Sequence, residues 1–203
     1  MKPAMFAALS GLLMLATLPA AGQATWRVPG GFHDDAPALS VLARILAGGK
    51  TGRLYRRLVQ DDTVATSVTA SVGPAFRGPQ LFTVGAQPMS GRTTAQLEAA
   101  IYEEIETLRR EPPTDRELQR VRNQVETGEV HRLSSNFGLA FQIAESAAVF
   151  GDWRETFRTA ERLAAVTAED VRRVAAKYLV RSGRTVAVLV RPEPGALTAQ
   201  GEW

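Results

Sequence analysis

The side chains able to do chemistry are few and poorly spaced for it. Two histidines occur, His33 and His131, 98 positions apart. His33 stands beside Asp34 and Asp35, a setting in which an imidazole can help hold a metal. His131 is followed by Arg132-Leu133-Ser134-Ser135, with no acidic residue before Glu145. A catalytic zinc site generally takes three protein ligands. Neither histidine belongs to an H-E-x-x-H or H-x-x-E-H arrangement. His33 therefore reads as a surface histidine beside a helix cap, and no metal, cofactor or catalytic residue is assigned to this chain. The absence of cysteine removes thiol catalysis, disulfides and cysteine-ligated metals. No Gly-x-Ser-x-Gly elbow offers a hydrolase serine. Gly49-Lys50-Thr51 ends like a phosphate loop, but that motif needs a glycine where Arg44 stands and a strand where an apolar helical pattern stands. Gly48 and Gly49 instead read as a helix stop. What remains is Arg53, Arg56 and Arg57, a basic helix face. It is either simply solvated or able to meet an anion, an acidic peptide or a protein partner. With Gly48 and Gly49 it forms the candidate partner or peptide surface.

Composition narrows the classes further. The chain has 203 residues, 24 basic and 21 acidic, for a net charge of +3. A pI near 9.7 hints at nucleic acid, but only three of the basic residues are lysine, so the value reflects arginine's high pKa more than surplus charge. Nucleic acid is not expected as a partner. With 45% apolar and 22% charged residues the composition is that of one globular domain.

The elements that must position these residues follow from periodicity. Residues 1–24 read as a signal peptide: Lys2, an apolar run from Met5 to Leu18, Pro19, then small residues to Ala24. The run is too short for a comfortable membrane span, so export is expected, to the periplasm if the source is Gram-negative. The domain proper is 25–191, and 192–203 reads as a disordered tail. Trp26-Arg27-Val28 is extended. Asp34 or Asp35 can cap a helix with Pro37 in its first turn. In that helix Leu42 and Leu46 are expected in the main core, and a second helix carries Leu54, Tyr55, Leu58 and Val59. Alternation then places Val64, Thr66, Val68, Ala70 and Val72 on one face of a strand that pairs with a second run, Leu81–Ala86, as an antiparallel hairpin. Capping boxes Thr93/Gln96, Thr114/Glu117 and Thr167/Asp170 open three helices. Asn136–Phe150 is a further helix rich in small residues. Thr185–Val190 is apolar enough for a central strand. The class is α+β, a mainly antiparallel sheet with a helical layer on one face.

From Trp26 to Arg191 the chain resembles the insulinase/pitrilysin family of zinc peptidases, which includes the mitochondrial processing peptidases. The likeness is to the non-zinc, C-terminal-type domain. It is carried by His33-Asp34-Asp35-Ala36-Pro37-Ala38-Leu39, by Ile45-Leu46-Ala47-Gly48-Gly49-Lys50 and by Gly52-Arg53-Leu54-Tyr55-Arg56-Arg57-Leu58-Val59. Further on it is carried by Gly151-Asp152-Trp153-Arg154, Val166–Val171 and Gly183–Val186. The resemblance implies a metallohydrolase-like α+β fold. It also implies a catalytically incompetent domain, the non-zinc half of a peptide-degrading chamber, with zinc held only by an H-x-x-E-H domain on another chain. Active members supply an Arg and a Tyr from the non-zinc domain to hold the substrate backbone. In register those positions are Val59 and Thr66 here, so neither the Arg guanidinium nor the Tyr phenol is present. Family domains open with further strands, so the resemblance also implies a short or truncated member with an open sheet edge. The expected partner is the zinc-bearing homologue or a second copy, with peptide as a possible substrate. The alternatives are a stand-alone periplasmic peptide-binding or scaffold protein, or a fragment of a longer exported zinc metallopeptidase.

Overall fold

The computed structural model describes residues 21–73 and 78–189. Most of the expected signal peptide and all of the expected tail 192–203 lie outside them. Four antiparallel strands, β1 (Ala21–Val28), β2 (Ala65–Val72), β3 (Gln80–Pro88) and β4 (Arg184–Leu189), form one sheet in the order β2-β3-β1-β4. Trp26 lies opposite Phe82 and Ala24 opposite Val84 across the β1/β3 ladder. Directly opposed residues share a face, so the period-two pattern turns Ala24, Trp26, Val28, Phe82, Val84 and Ala86 into the buried side. Gln23, Arg27 and Leu81 remain exposed on the other side. The sheet is thus covered on one face, as α+β order requires.

The cover begins with α1 (Ala36–Ala47). Leu39, Val41, Leu42, Ile45 and Leu46 are all exposed by 1% or less. These positions span more than half the helix circumference, so α1 is wrapped rather than laid on the surface. A short α2 (Arg53–Tyr55) runs into a π-helical turn, Arg56–Asp61. Then follow α3 (Thr94–Arg110), α4 (Asp115–Leu133), α5 (Asn136–Phe150), α6 (Glu155–Ala164) and α7 (Ala168–Tyr178). Thr93, Thr114 and Thr167 each close the reciprocal capping box expected of them, on α3, α4 and α7.

Four local expectations need correction. The extended piece at Trp26–Val28 is an eight-residue strand beginning at Ala21. Ala21–Ala24, assigned by the sequence to the leader, are therefore laddered with β4, and Gly22–Ala24 also with β3. In β2 the register shifts between Ala65 and Ser67, making Thr66 the extra residue of a bulge. The bulge inverts parity, so Ala65 and Val68 are the buried residues and Thr66 is exposed. β4 is an edge strand that leaves Val186, Val188 and Leu189 at 37–45% exposure. β-branched residues favour both central and edge positions, so composition alone could not separate them. Finally, Asp35 occupies the N-cap of α1 but its side chain makes no capping bond, because it is drawn to α7 instead. One backbone strain precedes β2: Thr63 has φ +47°. That left-handed conformation costs an ordinary residue roughly 1–2 kcal/mol. Flanking bonds from Asp62 N–H to Arg57 O and Val64 N–H to Leu58 O hold it there.

Candidate functional site

The glycine turn determines where the arginine face can go. A Cβ on Gly48 would lie 2.3 Å from the Arg44 carbonyl oxygen, and one on Gly52 2.8 Å from the Ala47 Cα. Gly49 has φ +72°. Only glycine lets the chain reverse so closely against the end of α1. Gln124 of α4 ties the turn down, its Nε2 donating to Gly48 O at 3.2 Å.

The turn delivers Arg53 to the start of α2, facing α3 and α4. Its Nε and Nη2 donate to Glu117 Oε1 and Oε2 at 2.6 and 2.8 Å, and Nη1 reaches Glu104 Oε1 at 3.4 Å. Such a two-pronged guanidinium–carboxylate bond is among the stronger polar contacts a protein makes. Glu117 also accepts the Thr114 backbone N–H and hydroxyl at 2.9 and 3.0 Å. Burial alone would raise the Glu117 carboxyl. The Arg53 fork, then Thr114, overcome that and pull it down to about 2. Arg57 is engaged as well, by Glu103, by Asp62 at 3.6 Å and by Glu104 at 3.9 Å. Two of the three candidate arginines are thus spent on internal carboxylates, and Arg56 stands exposed beside them.

The Arg53–Glu117 pair makes stability acid-sensitive. The folded Glu117 value lies below its unfolded value, so its contribution is complete above about pH 5 and is lost as pH falls toward the folded value. Glu117→Gln is expected to lower Tm at pH 7 and to narrow the further loss between pH 5 and 2.5. Calorimetry across that range checks this. Equal losses in both proteins would mean that Glu117 does not titrate with unfolding.

Val59 lies in the π-helical turn and is half-buried against the core. Thr66 sits on the bulge of the β2 edge, its hydroxyl donating to Gln87 O at 3.4 Å. Val59 has no polar side-chain atom, and the Thr66 hydroxyl is directed to its own sheet. His33 accepts the Asp35 backbone N–H on Nδ1 at 3.0 Å, which orients the ring toward its own loop. His131 is exposed near the end of α4, which also carries Glu126 and Glu129. Among the described residues no group of three or more histidines and acids comes together as a metal site.

Sequence inspection missed the role of Asp35. Its carboxylate, 5% exposed, accepts from Arg173 Nη1 at 2.6 Å, Lys177 Nζ at 2.9 Å and the Tyr178 hydroxyl at 2.7 Å. Burial opposes the charge, but the bonds from Tyr178, Lys177 and Arg173 win and hold the carboxyl well below the ordinary range. The i, i+4, i+5 spacing of these partners on α7 was visible, but nothing in it pointed to a residue 138 positions away. Arg120 was missed too. It lines an open cleft of about 920 Å³ with Arg53, Arg56, Arg57 and Arg116.

Comparison with known proteins agrees with this architecture. Residues 20–125 match the family model described as the peptidase M16 inactive domain. No curated protein matches the chain. Among solved structures, a protease from Helicobacter pylori superposes with a TM-score of 0.77 at 21% identity, over 84% of this chain and 40% of that one. The zinc-protease chain from Bordetella pertussis Tohama I gives 0.74 at 28% identity, over 84% of this chain and 93% of that one. The inactive peptidase domain of a zinc protease from Bordetella parapertussis gives 0.75 at 28% identity, over 86% and 96%. The chain therefore spans less than half of the Helicobacter protein and nearly all of the two Bordetella chains.

Proposed function

The chain belongs to the family of the peptidase M16 inactive domain, and from that premise we propose that it serves as the non-zinc half of a peptide-degrading chamber. The zinc-bearing H-x-x-E-H half would come from another chain. In this reading the domain contributes a wall, a glycine turn and a docking surface rather than a nucleophile, base or metal. Export directed by the N-terminal leader belongs to the same proposal, with Ala21–Ala24, which the sequence assigns to that leader, retained as the start of β1. No helix among the described residues is long and apolar enough to cross a membrane.

The observation that carries the partner is α5. Ten of its fifteen residues are apolar, yet Ser146 is its one buried residue. Phe137 is 81% exposed and Phe141 57% exposed, with ring centroids 6.3 Å apart. Ala140, Ala144 and Ala148 continue the same stripe at helical spacing, all exposed. A contiguous apolar face of this kind on a globular domain marks an interaction surface. The occupant we assign is the zinc-bearing homologous domain. The Helicobacter protease, more than twice the length matched here, supports a second arrangement in which that domain lies on the same chain.

Sedimentation at micromolar concentration, alone and with an H-x-x-E-H homologue from the same source, tests the proposal. A one-to-one complex is expected, weakened at least tenfold by Phe141→Glu, with zinc recovered only on the homologue. A monomer in both samples would overturn the partner. One tight zinc per isolated chain, lost in His33→Ala, would overturn the non-zinc assignment.

A further inference from the structure

The cleft beside Arg53 contains more guanidinium than its carboxylates use. Arg53 and Arg57 are held by Glu117, Glu104, Glu103 and Asp62. Arg56, Arg116 and Arg120 line the same cleft. None of the three makes a hydrogen bond or ion pair to a described residue through its guanidinium, and the buried Nε and Nη2 of Arg120 meet no acceptor. A covered, unpaired donor of this kind is costly, and a charged one more so. Burial disfavours the Arg120 charge, Glu117 favours it, and Arg56, Arg53 and Arg116 disfavour it again. Glu117 is in turn occupied by Arg53 and Thr114. The cluster is therefore short of an acceptor, and the guanidinium group takes carboxylates in pairs of parallel bonds.

Two features choose among anions. Asp61, Glu104 and Glu117 also line the cleft, so a densely charged polymer would be repelled where one or two carboxylates would not. The cleft also continues past Arg116 and Arg120 into a groove along α4 lined by Gln119, Asn123, Gln124 and Thr127. Gln124 Nε2 donates to Gly48 O, Gln119 Nε2 to Asn123 Oδ1 and the Thr127 hydroxyl to the Asn123 carbonyl, which leaves the Gln119 and Gln124 side-chain oxygens as acceptors and the Asn123 amide nitrogen as a donor for a peptide backbone. We propose that Arg56, Arg116 and Arg120 form a binding site for an acidic peptide segment, with adjacent Asp or Glu side chains at the arginines and the backbone along α4. The site stands apart from the apolar α5 face and does not depend on a zinc-bearing partner.

Calorimetric titration at low salt tests this, with an acetylated, amidated hexapeptide carrying two adjacent Glu, its Gln counterpart, and inorganic phosphate. The Glu peptide is expected to bind and the Gln peptide not to. Affinity should fall at least tenfold in Arg120→Gln and in Arg116→Gln, and again between 50 and about 300 mM salt. Arg116 is exposed, so its variant keeps the test valid if Arg120→Gln disturbs folding. Equal binding of the Gln peptide, or unchanged affinity in Arg116→Gln, would overturn the proposal. Phosphate bound more tightly than the Glu peptide would overturn it in favour of a small-anion site.

Discussion

Replacing Leu46 with alanine is expected to destabilise the domain by about 2–5 kcal/mol, the range for a leucine whose removal leaves a cavity. Leu46 is fully buried in α1. That helix packs against β2 on one side and α4, α6 and α7 on others. Walls contributed by four elements cannot all collapse into the space, which favours the upper half of the range. Alanine is the better helix former, so the loss cannot be charged to local propensity. Urea unfolding would show a lower midpoint at unchanged slope. A loss below about 1 kcal/mol would mean that the surroundings relax into the gap. Phe137→Ala on α5 supplies the contrast, since at 81% exposure it should stay within about 0.5 kcal/mol.

Asp35→Ala is the second large effect. The variant leaves Arg173, Lys177 and Tyr178 without the carboxylate that gathers them. Breaking a buried ion pair costs about 3–5 kcal/mol when the survivor stays buried. Here Arg173 and Lys177 have side chains 45% and 52% exposed and can turn to water, so about 2–3 kcal/mol is expected. Asp35→Asn, which keeps an acceptor for Tyr178, should lose less. Since the folded carboxyl titrates below its unfolded value, the wild-type advantage over Asp35→Ala is full at neutral pH and fades in acid. Parallel urea titrations at pH 7 and pH 3 check both statements. A constant difference between the two pH values would mean that the network is not ionic.

The residues also show why some of this fold was legible and some was not. A threonine with an acid or amide three positions on satisfies its backbone locally, so Thr93, Thr114 and Thr167 announced their helices without tertiary information. The wrapped α1 was legible because apolar residues filled more than one face. Thr66 failed because a bulge adds one residue without any compositional mark, so Ala65 turns inward and Thr66 outward while Val68, Ala70 and Val72 keep the expected face. β4 failed because apolar content measures affinity for a sheet and not rank within it. The arginine face was legible as charge, but its internal pairing depended on Glu103, Glu104 and Glu117, which only the packing of α2 against α3 and α4 brings near. Arg120 gave no signal, since an arginine on a polar helix is ordinary until its neighbours prove to be arginines as well.

The place of β1 between β3 and β4 has a consequence for how the chain assembles. The β1, β2 and β3 ladder is complete within residues 21–88, and a nascent chain can form it early. β4 arrives about a hundred residues later, closing against β1 at pairs such as Thr25 and Thr185. Contacts so distant in sequence raise the contact order and slow folding. Until then the free side of β1 is itself an edge, and the Trp26 indole lacks its acceptor, the Val180 carbonyl, which it reaches at 3.1 Å only when the end of the domain docks. Docking of the end of the domain thus supplies Trp26 with its acceptor and covers the free side of β1 in the same step, and before it the half-made sheet is open to pairing with the wrong strand.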